Sequence, residues 1–113
     1  EGMDDKFRMV TDVQLAEWLA EAGPPVVLDV RAESAFAASR VPGSVNVPLR
    51  TLPARYRDSL PDRRRRVVCV CQGSVQSAYA LAFLSSRGYR EVFNLSGGFG
   101  RWSGQGRAVE SAG

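Results

Sequence analysis

Two cysteines lie two positions apart in the middle of the chain, and the second is the stronger candidate for chemistry. Cys69 falls within the apolar run Val67–Val70, which predicts a buried strand, whereas Cys71 follows that run directly. A helical pattern starts at about Ser77. The first N–H groups of a helix have no helical partner and favour an anion nearby. Because the thiolate is the nucleophilic form of cysteine, Cys71 occupies a position that suits nucleophilic chemistry.

The segment after Cys71 is predicted to form an anion-binding loop. Its members are Gln72, Gly73, Ser74, Val75, Gln76 and Ser77. Their backbone N–H groups would surround a bound sulfur species, an arrangement known as a nest. Gly73 is expected where the backbone curls around the sulfur, with a positive φ as one way to achieve it. The Ser77 hydroxyl has two predicted roles, which are donation to the sulfur and capping of the helix.

Each cysteine also has a structural interpretation. A free cysteine commonly behaves as a small buried hydrophobic residue. For Cys69 we predict a packed thiol rather than a partner that resolves a disulfide, because cysteines two positions apart on a strand lie at or beyond disulfide reach. For Cys71 the junction between strand and helix favours a catalytic role.

Histidine is absent from the sequence, and its absence removes several functional classes. Cys–His catalysis, imidazole acid–base chemistry and histidine metal ligation are all excluded. A serine nucleophile would lack its usual base. Any cysteine chemistry must therefore rely on backbone dipoles and on Arg, Lys, Ser or Gln side chains. We expect no metal and no organic cofactor.

The composition predicts one globular domain. The 113 residues are 44% hydrophobic and 24% charged, and no apolar run approaches the roughly 20 residues of a membrane span. No secretory signal is visible. Since the two cysteines cannot form a disulfide framework, a reducing cytoplasm is the expected location. We expect a monomer that does not bind membranes.

The net charge of +3 comes largely from a run of four arginines before the predicted central strand, Arg63, Arg64, Arg65 and Arg66. A solvated loop is the simpler interpretation, and an acidic protein partner is the alternative. Aromatic residues do not interleave with the run, so nucleic-acid binding is not expected.

The elements that would position Cys71 alternate between strands and helices. Thr11 and Gln14 have the spacing of a capping box, which starts a helix that continues to Ala22 and stops at Gly23. Strands are predicted over residues 7–10, 26–30, 45–47, 67–70 and 92–95, and helices over roughly 33–38, 52–60, 77–87 and 98–104. Residues 1–6 are predicted to be an N-terminal tail, 7–104 the domain, and 105–113 a frayed C-terminal tail. This alternation predicts a largely parallel sheet with its ligand site at the carboxyl ends of the strands.

Four short motifs then occur in one order: Leu28-Asp29-Val30-Arg31, the segment Val41-Pro42-Gly43-Ser44-Val45-Asn46-Val47-Pro48, the loop from Val68 to Ser77, and Leu95-Ser96-Gly97-Gly98 with Trp102. Together they resemble the rhodanese family of single-domain sulfurtransferases. The resemblance implies an α/β fold with a five-stranded, mostly parallel sheet covered by helices on both faces. It also implies that Cys71 accepts a sulfane sulfur from thiosulfate, a persulfide or a polysulfide, and passes it to cyanide or a thiol.

The loop also differs from the family pattern. Gln76 stands where the family usually carries arginine or threonine, and a neutral amide binds a dianionic donor less strongly than a guanidinium. Asp29 and Arg31 are expected to tie neighbouring loops together, with Arg31 as a possible cation behind the site. A phosphatase or arsenate reductase is the nearest enzymatic alternative, but its loop would end in arginine where this chain has Ser77. A non-catalytic or regulatory module is the alternative from another class.

Overall fold

Strands and helices alternate along the part of the chain that the structure, a computed structural model, describes, which is residues 8–112. The strands are β1 (Met9–Val10), β2 (Val26–Asp29), β3 (Val45–Asn46), β4 (Val67–Val70) and β5 (Val92–Leu95). The helices are α1 (Asp12–Leu19), α2 (Glu33–Ala38), α3 (Leu52–Ser59), α4 (Val75–Ser86) and α5 (Gly98–Gly104), and a 3-10 helix (Leu49–Thr51) leads into α3. The predicted N-terminal tail, residues 1–6, and Phe7 lie outside the described residues.

The five strands form one sheet in the order β1-β5-β4-β2-β3, and every neighbouring pair is parallel. The predicted fold class is therefore confirmed. β4 lies at the centre of the sheet. Because the carboxyl ends of parallel strands meet at one edge, the loops that follow β2, β4 and β5 lie side by side there.

Alternate residues of β4 point into two separate cores. Val67 and Cys69, together with Cys71 beyond the strand end, pack in a cluster with residues of α3 and α4. Val68 and Val70 pack in a second cluster with residues of α1 and α5. A strand that is covered on both faces carries apolar side chains on both, which explains its continuous apolar sequence. The prediction of helices on both faces is confirmed.

Several element boundaries differ from the sequence-based expectation. The capping box of Thr11 and Gln14 is confirmed, since the Thr11 hydroxyl accepts from the Gln14 N–H and the Gln14 side chain accepts from the Thr11 N–H. α1 ends at Leu19, however, about one turn before the predicted end. α4 begins at Val75 rather than at about Ser77, which places Ser77 inside the helix.

The predicted fraying of the chain after Gly104 is wrong within the described residues. Arg107 Nε donates to Asp12 Oδ2 at 2.6 Å, and Trp102 Nε1 donates to the Ala108 carbonyl at 2.8 Å. Arg40 and Glu110 form an antiparallel bridge. These contacts fix the segment after α5 against α1 and the loop before β3.

Among residues 8–112, no helix has the length and apolar character needed to cross a membrane.

Candidate active site

The Cys71 thiol lies immediately beyond the carboxyl end of the central strand β4. Only 2% of the residue is exposed. A cavity of about 300 Å³ opens above it, and its lining consists of residues 71–76, the loop that joins β4 to α4. The side chains of this loop point mostly outward, as Val75 shows with 71% exposure. One short loop, most of it exposed to solvent, therefore provides the whole lining of this cavity.

The backbone N–H groups of residues 72–76 donate to no other group in the described part of the chain. The first N–H groups of a helix lack helical acceptors, and here the loop before α4 adds further free donors. Free N–H groups around a cavity make it electropositive without any charged side chain. The predicted loop residues are thus brought together around Cys71, and the arrangement can hold an anionic sulfur species.

A buried hydrogen-bond chain runs from Cys71 into the sheet. The Cys71 Sγ lies 3.3 Å from the Ser77 Oγ, and that oxygen lies 2.5 Å from the Asn94 Oδ1. The Asn94 Nδ2 donates to the Ser74 carbonyl at 3.0 Å. Ser77 contacts the sulfur and does not cap α4, for which Ser74 is the N-cap residue. Sequence analysis did not identify Asn94, although a polar residue within an otherwise apolar strand was a signal for it.

The first turn of α5 supports the Cys71 loop from below. The Phe99 N–H donates to the Cys71 carbonyl at 2.8 Å, and the Gly100 N–H donates to the Gln72 carbonyl at 2.9 Å. Gly98, the residue before Phe99, has φ +60°, and a Cβ there would lie 2.0 Å from the Gly73 carbonyl oxygen and 2.4 Å from that of Cys71. Only glycine permits this approach. The sequence motif contained Gly98, but its role against the Cys71 loop was not predicted.

Gly73 does not have the conformation that was considered for it. Its φ lies outside the left-handed region, and a Cβ at this position would meet no atom within 4 Å. The loop carbonyls are fixed by the N–H groups of α5, so the curvature around the sulfur needs no left-handed residue at position 73. The requirement for glycine is met by Gly98 instead.

Asp29 and Arg31 form a buried ion pair that connects three segments. Arg31 Nε and one terminal nitrogen donate to the two Asp29 carboxylate oxygens, with a shortest distance of 2.8 Å. The same terminal nitrogen donates to the Ser39 carbonyl at 2.7 Å. The guanidinium also lies 4.4 Å from the centre of the Phe99 ring. Arg31 therefore touches the residue whose N–H supports Cys71, and it does not contact the sulfur itself.

Cys69 is enclosed in the core with no exposed surface. Burial raises the pKa of the Cys69 thiol, and the nearby Cys71 adds to the increase. A thiol that remains protonated is a poor nucleophile. Both cysteines are free and buried, so Cys69 is the packed thiol that the sequence predicts.

A second groove lies beside the loop and shares Gln76 with it. The groove has a volume of about 320 Å³, and its lining combines apolar residues with Gln76 and Arg50. Arg50 forms no ion pair or hydrogen bond with residues 8–112. Its guanidinium is the charged group of this groove, next to a position where the loop itself is neutral.

The four-arginine run lies at the opposite end of β4 from Cys71. Its members interact with neighbouring residues: Arg63 with the Tyr89 ring, Arg64 with Asp62, Arg65 with the Pro24 carbonyl, and Arg66 with Glu91 and the Trp18 ring. The run is thus distributed among separate contacts and does not reach the sulfur site.

Within residues 8–112, no three His, Cys, Asp or Glu side chains group closely enough to hold a metal ion.

The fold and the site define the class: a parallel α/β domain with a cysteine at the end of its central strand, beneath a loop of free backbone N–H groups. The family model described as "Rhodanese-like domain" matches residues 11–105. The chain belongs to the rhodanese-like family.

Sequence relatives and solved structures agree with this membership. A sulfurtransferase of Allochromatium vinosum is 30% identical over 95 residues, which cover 84% of this chain and 87% of the relative. The thiosulfate sulfurtransferase GlpE of Pseudomonas fluorescens is 37% identical over 97 residues, covering 86% and 85% of the two chains. The crystal structure of a rhodanese-related protein from Thermoplasma volcanium superimposes with a TM-score of 0.81 at 27% identity, covering 92% and 98%. The names of these relatives support a sulfurtransferase role.

Proposed function

We propose that this chain is a sulfurtransferase that carries a sulfane sulfur on Cys71 as a persulfide. The observation that supports it is the position of Cys71 at a cavity lined by residues 71–76, of which residues 72–76 have free backbone N–H groups. An outer persulfide sulfur carries negative charge and lies about 2 Å beyond the Sγ. In this proposal it extends from Cys71 toward the free N–H groups of the loop. The cavity suits the intermediate better than it suits a neutral thiol.

The reaction needs no external oxidant or reductant. The Cys71 thiolate attacks the outer sulfur of thiosulfate, the sulfur–sulfur bond of the donor breaks, and sulfite leaves with the electron pair. With a persulfide donor, the leaving group is the donor's thiolate. In the second half, cyanide or an acceptor thiolate attacks the outer sulfur of the Cys71 persulfide. The enzyme thiolate is then released and can begin another cycle.

The donor site extends in this proposal into the neighbouring groove. Gln76 offers neutral hydrogen bonds, whereas Arg50 supplies a guanidinium that has no carboxylate partner in the described residues. Charge-assisted hydrogen bonds are roughly twice as strong as neutral ones. We therefore expect anionic donors to depend on Arg50. A donor whose anionic group lies farther from its sulfane sulfur than in thiosulfate suits this position best.

A donor comparison tests the proposal. Thiocyanate formation from cyanide would be measured with thiosulfate, glutathione persulfide and polysulfide, using wild type, Cys71→Ser and the matched control Cys69→Ala. We expect turnover with at least one donor, its loss in Cys71→Ser and its retention in Cys69→Ala. Absence of thiocyanate with every donor would instead support the non-catalytic module.

The contribution of position 76 has its own test. Gln76→Arg should increase kcat/KM for thiosulfate more than for the persulfide donor, by about tenfold for one added charge-assisted hydrogen bond. Arg50→Ala should lower kcat/KM for anionic donors. Equal effects of Gln76→Arg on all donors would contradict an electrostatic role for position 76.

Phosphate transfer is the less favoured chemistry for this loop. Ser77, the residue six positions after Cys71, is buried and uses its hydroxyl within the domain. No guanidinium is thus placed at the end of the loop to hold three phosphate oxygens. Hydrolysis of an aryl phosphate by wild type but not by Cys71→Ser would overturn this conclusion.

A further inference from the structure

The hydrogen-bond chain behind Cys71 contains polar groups with restricted proton positions. Asn94 is 2% exposed and Ser77 has no exposed surface, so water does not compete for these groups. In such surroundings a polar atom without a partner costs free energy, and each proton must lie where the neighbouring atoms allow it. The three contacts can therefore be assigned from the chemistry of the groups.

The assignment starts from a group that can only accept. The Ser74 carbonyl carries no proton, so the amide nitrogen of Asn94 must face it, as the 3.0 Å contact shows. The Asn94 Oδ1 then faces Ser77 and also carries no proton. The single hydroxyl proton of Ser77 must lie on the 2.5 Å contact with Asn94. At the 3.3 Å contact with Cys71, the Ser77 oxygen therefore accepts, and the thiol S–H donates.

This pattern accommodates one protonation state of Cys71 and opposes the other. A thiolate at Sγ would face the lone pairs of the Ser77 oxygen. The hydroxyl could rotate to donate to the sulfur, but the buried Asn94 oxygen would then lose its donor. Either arrangement leaves one acceptor of the chain unsatisfied.

We infer that Asn94 is a positioning residue that directs the Ser77 hydroxyl away from Cys71 and so disfavours negative charge on Sγ relative to charge on the outer sulfur of a persulfide. The inference rests on the proposed function and identifies a control on its resting state. In the persulfide the charge moves about 2 Å outward, toward the cavity lined by residues 71–76, where the N–H groups of residues 72–76 are free. Asn94 thus favours the sulfur-loaded form over the free thiolate.

Alkylation of Cys71 by iodoacetamide at pH 7 tests the inference without requiring sulfur transfer. In Asn94→Leu the Ser77 hydroxyl is free to donate to the thiolate, so the alkylation rate should rise by about tenfold, the size of one hydrogen bond to a charged group. Asn94→Asp keeps an acceptor toward Ser77, so its rate should stay at or below that of wild type. Disruption of the loop alone would raise the rate in both variants.

A double variant separates hydroxyl orientation from a general loosening. Ser77→Ala removes the hydroxyl, so adding Asn94→Leu to it should change the alkylation rate by less than about twofold if the effect passes through Ser77. A tenfold increase in the Ser77→Ala background would overturn the inference. Thermal unfolding of each variant would verify that the domain is folded at the assay temperature. Failure of the proposed function would instead appear as no sulfur on Cys71 in wild type, with the alkylation pattern unchanged.

Discussion

The Cys71 loop and the first turn of α5, which are neighbours at the carboxyl edge of the sheet, have opposite constraints. The loop between β4 and α4 directs its side chains outward, leaves its N–H groups free and surrounds a cavity. The first turn of α5 is largely buried, and the N–H groups of Phe99 and Gly100 donate to carbonyls of the Cys71 loop. In the proposed function the Cys71 loop holds the reacting sulfur, and the first turn of α5 fixes the backbone that surrounds it.

The difference shows where substitutions should matter. Side chains in the Cys71 loop adjust the ligand, whereas side chains in the supporting turn decide whether the loop has its shape. The Cys71 loop is the easier of the two regions to identify in the sequence, because it contains the candidate nucleophile. The tighter steric constraint, however, lies in the first turn of α5, at Gly98.

The largest expected effect comes from replacing the glycine of the supporting turn, Gly98, and the comparison is the same replacement in the Cys71 loop, at Gly73. Gly98→Ala places a methyl group within 2.6 Å of three loop carbonyls at φ +60°, and should destabilise the domain by about 4 kcal/mol and abolish turnover. Gly73→Ala, within the Cys71 loop itself, meets no atom within 4 Å and should remain close to wild type in stability. Urea denaturation would measure both. Similar stability losses in the two variants would refute the contrast.

A smaller effect is expected where the ion pair reaches the supporting turn. Arg31→Lys keeps the charge but loses the planar fork that binds Asp29, Ser39 and the Phe99 ring, and should cost about 2 kcal/mol. Because Arg31 does not contact the sulfur, KM for the donor should change little. The denaturation midpoint and steady-state kinetics would test this. A selective loss of donor binding without a stability change would show that Arg31 acts as a site cation.

The smallest effect should come from the segment after α5, where Arg107 binds Asp12 at the start of α1. The hydrogen bond from Arg107 lowers the pKa of Asp12 below its usual 3.8, although burial acts in the opposite direction. A lowered folded-state pKa gives stability that is present above pH 3.8 and is lost as the pH falls through the lower folded value.

Asp12→Asn should therefore cost about 1 kcal/mol at pH 7 and progressively less below pH 3.8. Asp58→Asn is the matched control, because Asp58 is an exposed carboxylate on α3. Urea midpoints across pH 2 to 7 would measure the difference. A cost that stays constant over this range would contradict the ion-pair explanation.

Sequence reasoning was most successful where one residue type and its local spacing determined the result. The strands over residues 67–70 and 92–95 and the position of Cys71 follow from apolar runs that end in small residues. The roles of Gly98 and Asn94 depend on which strands are neighbours, since both residues follow or lie on β5 and act on the loop after β4. Spacing along the chain does not determine that contact. The role considered for Gly73 was wrong for the same reason, because the close approach that requires glycine occurs at Gly98, in the first turn of α5.

The most direct test of the central claim is the intact mass of the protein after a stoichiometric reaction with a sulfane sulfur donor, followed by excess cyanide. We predict a gain of one sulfur atom, located on Cys71 by peptide mapping, its absence in Cys71→Ser, its presence in Cys69→Ala, and its complete removal by cyanide. A wild-type mass that stays unchanged with thiosulfate, persulfide and polysulfide would contradict the account. Sulfur found on Cys69 would contradict it equally.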